Sequence, residues 1–172
     1  HDARLIVTRG GTAAAPVVIK AEMPGGVILD GSSRLSLEAP YVTVDGLWFQ
    51  GGALDGGAVI QFNSHHGVVR NTAVVDVNPP KFETEYYWVF FNGDDNLVER
   101  GYFSGKNHLG PLVGNALSGS RRNTVSQSMF GSIPYAEANG REIFRIWGAG
   151  KLARQDDEEG AYFSVEHNLF DH

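Results

Sequence analysis

A chain of 172 residues with 42% hydrophobic and 11% aromatic content is long enough for one domain with a sizeable core and too apolar for general disorder. It contains no cysteine, which excludes disulfides and thiolate metal sites and leaves the redox compartment open; no apolar run approaches membrane-spanning length. The net charge of −6 is unevenly spread, because residues 100–154 hold eight of the fourteen Lys and Arg against two acids, Glu137 and Glu142, so that this stretch carries +6 and the remainder −12.

The chain opens at His1 with neither Met nor a basic-plus-apolar leader, so a processed or partial chain is expected. Its first apolar runs are short, β-branched and punctuated: Val17 to Ile19, Val27 to Leu29, Leu35 to Leu37, Val42 to Val44. These are strand signals, and no helical periodicity of convincing length follows anywhere, so the class is all-β.

Further along, a Val is followed five residues later by Phe or Val: Val44/Phe49, Val69/Val74, Val98/Phe103, Val125/Phe130 and Val165/Phe170, at intervals of 25, 29, 27 and 40 residues. Phe62-Asn63 recurs in step as Phe91-Asn92. Repeats of this length built from short strands indicate a solenoid or a propeller. A propeller blade needs about four antiparallel strands in ~40 residues, whereas ~25–29 residues suit one coil of a parallel β-helix. The expected fold is therefore a right-handed parallel β-helix over residues 1–172, with the five valines in one inward column; strands merely coincident within a sandwich are the alternative.

Departures from the period mark projecting loops, which in solenoids carry function. One runs from Asn78-Pro79-Pro80-Lys81 to Tyr86-Tyr87-Trp88. Two more fall in the long interval, around Ser132 to Tyr135 and around Arg154 to Gly160. The acid run Asp156 to Glu159 reads as a solvated loop before it reads as a calcium site.

Between those loops, Asn139 to Gly148 has a Gly turn leading into a short strand. Alternation there puts Ile143, Arg145 and Trp147 on one side and Phe144 and Ile146 on the other. A strand that buries Phe144 and Ile146 mounts Arg145 rigidly on an outer face. One repeat earlier, Gly105-Lys106-Asn107-His108-Leu109-Gly110 alternates Lys106 and His108 onto one face. The basic stretch that holds these residues focuses an anionic ligand, or, more plainly, lines solvated edges.

Several stretches together resemble polysaccharide lyase family 6, the parallel β-helix lyases that include alginate lyases and chondroitinase B. They are Ala15 to Glu22, Val44 to Phe49, Tyr102 to Gly110, Asn139-Gly140 with Glu142 and Arg145-Ile146, and Val165 to Phe170. The resemblance spans nearly the whole chain, and its specific pieces are Gly-Lys-Asn-His-x-Gly and Asn-Gly-x-Glu-x-x-Arg-Ile. Arg141 stands where the family usually has a second Gly, and Trp147 precedes Gly148 where the usual run is Arg-Ile-Gly.

The resemblance implies calcium-assisted β-elimination in an acidic polysaccharide, alginate first among them, by a secreted or periplasmic protein without nucleic-acid or membrane partners. The family holds its calcium with an Asn, matched by Asn139, and two Glu about one coil later, followed by a base Lys and an acid Arg. These would lie beyond His172, so the 172 residues are expected to carry N-terminal coils and part of the groove. They would be inactive alone, expose an uncapped edge, and be completed by a C-terminal companion segment. Arg145, Lys106, His108 and Tyr86 are the substrate-binding candidates, expected with Asn139 in one outer groove.

Each candidate has a plainer alternative. Arg145 would be ion-paired with Glu142, Lys106 a turn residue, His108 a hydrogen-bonded structural His, Tyr86 part of the core and Asn139 a turn residue before Gly140. His65-His66 is set aside as a metal pair because adjacent strand residues face opposite ways. A non-catalytic β-helix that binds acidic glycans or serves as a surface scaffold is the other function class. A glycosidase would need two acids flanking a groove, and Asp94-Asp95 are adjacent and turn-like.

Overall fold

The computed structural model describes residues 1–80, 87–116, 120–132, 142–147 and 162–171. Among them the chain winds through six rungs of three strands: β1 (Arg4–Val7), β2 (Val17–Lys20) and β3 (Val27–Leu29); β4 (Arg34–Leu37), β5 (Val42–Asp45) and β6 (Leu47–Gln50); β7 (Ala58–Phe62), β8 (Val68–Arg70) and β9 (Ala73–Val75); β10 (Tyr87–Phe91), β11 (Leu97–Glu99) and β12 (Tyr102–Ser104); β13 (Val113–Asn115), β14 (Thr124–Ser126) and β15 (Met129–Gly131); β16 (Phe144–Arg145), β17 (Ser164–Glu166) and β18 (Leu169–Phe170). Each strand pairs in parallel with the strand one rung away. Three six-stranded sheets result, one holding β1, β4, β7, β10, β13 and β16, a second β2 through β17, and a third β3 through β18. This is the parallel β-solenoid that the repeat spacing predicts.

Register follows the sequence repeat residue by residue. Val44 pairs with Val69, Val69 with Val98, Val98 with Val125 and Val125 with Val165. Five residues on, Phe49, Val74, Phe103, Phe130 and Phe170 form the parallel column in the third sheet. Identical spacing puts like side chains above one another, so the rings stack: Phe103 on Phe130 at 5.0 Å and Phe62 on Phe91 at 4.8 Å. Together with Leu35, Ile60, Val89 and Val113 these columns form one continuous buried core. On the last rung the same columns are half-exposed, with Val165 45% and Phe170 44% exposed.

What turns the chain between sheets is a single residue in the left-handed region. Gly46, Asn71, Arg100, Gln127 and His167 all have positive φ and lie two residues after the five column valines. The amides of the first four reach the next rung, for example Asn71 N to Glu99 O at 3.2 Å. A second such column, Tyr41, His66, Asp95, Arg122 and Tyr162, precedes the second sheet. For residues other than Gly this conformation costs roughly 1–2 kcal/mol each, and it is held by the bonds to the neighbouring rung. The second column also brings His65 and His66 together, with Nδ1 atoms 2.7 Å apart. The alternation rule that separates them applies to strands, and they sit on a corner.

Buried polar groups at the corners are paired across rungs. Asn96 Oδ1 accepts from Gly67 N, Asn123 Oδ1 accepts from Asn96 N, and the two side-chain amides are themselves bonded at 3.1 Å. On the outside, Arg122 clamps Asp95 through Nε at 2.7 Å and Nη2 at 2.9 Å. The hydrogen bond from Arg122 outweighs burial and holds the Asp95 carboxyl below its ordinary range, and the charges of Arg122, His66 and His65 add to it. A depressed carboxyl stabilises the fold above its unfolded pKa, near 3.9 for Asp, and loses that contribution as pH falls through the folded value. Asp95→Asn keeps a residue that tolerates positive φ, so it isolates the charge. Thermal midpoints of the two proteins should differ at neutral pH and converge below the ordinary Asp range.

Candidate functional site

The site lies on the outward side of the first sheet, where β10, β13 and β16 run side by side. Val113 pairs with Phe144 and Gly114 with Arg145. Phe144 turns inward onto Phe130 at 5.2 Å, so the next residue, Arg145, is outward and half-buried. Ile143 departs from the expected alternation: it precedes the strand and packs against the core instead of sharing Arg145's side. Trp147, 42% exposed, is tethered at both backbone atoms by Asn115, whose Oδ1 accepts from Trp147 N at 2.7 Å and whose Nδ2 donates to Trp147 O at 3.0 Å.

Arg145 Nε donates to Glu142 Oε1 at 2.5 Å, the ion pair that was its plainer alternative. Burial pushes the Glu142 carboxyl up. The hydrogen bond from Arg145, a backbone hydrogen bond and the charges of Arg145 and Lys106 outweigh it, so the carboxyl is held below its ordinary range.

Lys106 and His108 do not share an open face, contrary to the alternation expected of them. They are 1% and 0% exposed, because they lie in the connection after β12, where a strand's period does not set side-chain direction. His108 Nδ1 is 2.6 Å from Leu109 O; a carbonyl only accepts, so Nδ1 carries the proton. Its ring packs 6.4 Å from Trp88, whose Nε1 donates to Val77 O. That surrounding matches the structural alternative for His108. Tyr86 and Asn139 lie outside the described residues.

Two residues that the sequence reading passed over hold the connection in place. Asn78, just before the Pro-Pro pair, donates from Nδ2 to Gly105 O and accepts from Asn107 N, both at 2.9 Å. Gly105 has φ +84, and a Cβ there would sit 1.8 Å from Asp76 Oδ1, so the corner admits no side chain. The signal available in the sequence was the Asn-Pro-Pro turn itself.

Tyr87, the neighbour of the candidate Tyr86, lies across the outward side. A Cβ added to Gly114 would meet its ring at 2.5 Å, and Phe90 packs on it at 4.7 Å. Gly114→Ala should displace that ring and destabilise the protein by about 1–3 kcal/mol, the cost of overpacking, read as a lowered denaturation midpoint. An unchanged midpoint would mean that Tyr87 is not seated there.

Among the described residues no group of three or more His, Asp or Glu is placed to hold a metal ion. The described residues alone do not make a calcium cage, and Asn139 lies outside them.

The fold has counterparts among known proteins. The family model described as Chondroitinase B matches residues 1–172. A polysaccharide lyase of family PL6 from Pseudopedobacter saltans is similar at 46% identity and TM-score 0.93, over 99% of this chain and 39% of its own. The PL6 family alginate lyase AlyGC gives 25% identity and 0.86, over 99% of this chain and 24% of its own. A mannuronic acid specific family 6 lyase from human gut microbiota gives 24% and 0.85, over 98% and 40%, a likeness of fold alone. The chain spans two fifths or less of the length of these enzymes. No curated protein matches it.

Proposed function

The chain belongs to the chondroitinase B family, and on that premise we propose that it forms part of a lyase that cleaves a uronate polysaccharide, alginate above all, by β-elimination outside the cytoplasm. The observation that carries the reading is Arg145, mounted outward on β16 beside an inward-facing, partly buried Phe144. In β-elimination a base removes the C5 proton, the electron pair forms the C4–C5 double bond, the C4–O bond breaks, and an acid protonates the leaving oxygen. Negative charge builds on the C5 carboxylate as the proton leaves. Arg145 can pair with that carboxylate. The proposed proton-transfer Lys and Arg, and two Glu that with Asn139 would ligate calcium, belong to a companion segment of the same protein. Calcium, when bound, would supply further neutralisation of the carboxylate.

The test is release of unsaturated, ultraviolet-absorbing product from alginate and from dermatan by the full-length protein, with and without a calcium chelator, beside the 172-residue chain alone. Product from the full-length protein only, lost on chelation, supports the reading. Product from the 172-residue chain would put the proton-transfer pair inside it. No product from either would favour a non-catalytic glycan-binding scaffold.

A further inference from the structure

Arg4 and Arg34 pair in register on β1 and β4, one residue before the inward-facing Leu5 and Leu35. Both therefore take outward positions on the sheet that carries Arg145. Like charges directly opposite each other repel, so the fold gains nothing from this pair by itself. Among the described residues the acids on the same two rungs are engaged elsewhere: Asp2 and Asp30 pair with His1 at 2.8 and 3.0 Å, and Glu38 accepts from Ser36 and from Asn63. Arg34 Nε is shut away from solvent with no hydrogen-bond partner. By contrast Arg70, Arg100, Arg122 and Arg145 all have carboxylate partners.

Arg34 lies two residues before Ser36 on β4, at the start of the same outward face. Ser36, Gln61, Phe90, Gly114 and Arg145 form one in-register outward column. It passes from hydroxyl and amide groups to the Phe90–Tyr87 aromatic pair and ends at the guanidinium. From β4 to β16 is four rung steps, or about 19 Å at ~4.8 Å per step. A 1,4-linked polyuronate carries one carboxylate per sugar and advances by close to one rung per sugar. A chain of about five uronates can therefore place one carboxylate at Arg145 and another at the far arginines.

We propose that Arg4 and Arg34 form a distal carboxylate clamp for a polyuronate lying along the outer side of the first sheet. The inference rests on the lyase reading above and adds a chain-length requirement to it. The stacked arginines are held apart from internal acids so that an external anion can bridge them. Carboxylates bridging two guanidiniums form charge-assisted hydrogen bonds, which salt weakens at exposed positions.

The experiment compares a uronate trimer with a hexamer as substrates of the full-length protein and of its Arg4→Gln/Arg34→Gln variant. The wild type should have a KM for the hexamer about tenfold below that for the trimer, the scale of one charge-assisted contact. In the variant the hexamer's KM should rise about tenfold, with kcat, the trimer's KM and the thermal midpoint unchanged. A hexamer KM unaffected by the substitutions, or one raised equally for both oligomers, overturns the clamp while leaving the lyase reading standing. Absence of unsaturated product from either oligomer overturns the lyase reading and the clamp with it.

Discussion

Phe103→Ala should be among the most damaging single substitutions in the chain, lowering stability by about 3–5 kcal/mol, the range for removing a buried aromatic. Phe103 is 1% exposed, stands between Val74 and Phe130 in the third-sheet column, and stacks on Phe130 with ring planes 12° apart. In a solenoid each rung contacts only its neighbours, so the void would face rungs on both sides and could not be filled by a distant rearrangement. Phe170→Ala, at the 44% exposed end of the same column, should cost only about 1 kcal/mol, because most of that ring's burial is missing to begin with. Denaturant midpoints at constant slope would measure both. A Phe103→Ala loss no larger than that of Phe170→Ala would show that the column is not what holds the rungs together.

The columns were legible because burial repeats with the coil. A Val or Phe must recur wherever the chain re-enters the core, and Val44 through Val165 do so at intervals that survive an insertion of a dozen residues. The corners were not legible, since the left-handed positions are occupied by Asn71, Arg100, Gln127 and His167 rather than by the glycine that a turn usually announces. At Asn71, Arg100 and Gln127 the conformation is held by hydrogen bonds to the next rung, some 26 to 39 residues on in sequence, and nothing local encodes it. The cross-rung amides Asn96 and Asn123 were missed for the same reason.

At the site, Arg145 could be placed because it sits on a strand whose period holds, as pairing with Gly114 demonstrates. Lys106 and His108 could not, because the same period was extended into a connection closed by Asn78 and Gly105. The motif that carried the resemblance lies in that connection, and its Lys106 and His108 side chains are buried rather than outward.

Arg145→Ala in the full-length protein should lower kcat/KM on polyuronate by about a hundredfold, the effect of removing one preorganised group at a developing negative charge. Stability should change little. The guanidinium is 25% and the Glu142 carboxylate 34% exposed, and ion pairs near the surface contribute only about 0–1 kcal/mol, while Phe144 keeps its place in the core. Glu142→Gln separates the two roles open to this arginine. It deletes the internal carboxylate but leaves Arg145 on the outer face, now with less competition for an external anion. If Arg145 serves the substrate, Glu142→Gln should retain activity and lower KM; if it serves only to hold Glu142, both substitutions should impair the enzyme alike and reduce its stability to the same degree. Equal losses in kcat/KM and in denaturation midpoint for the two variants would remove Arg145 from the substrate site and leave the ion pair as its whole function.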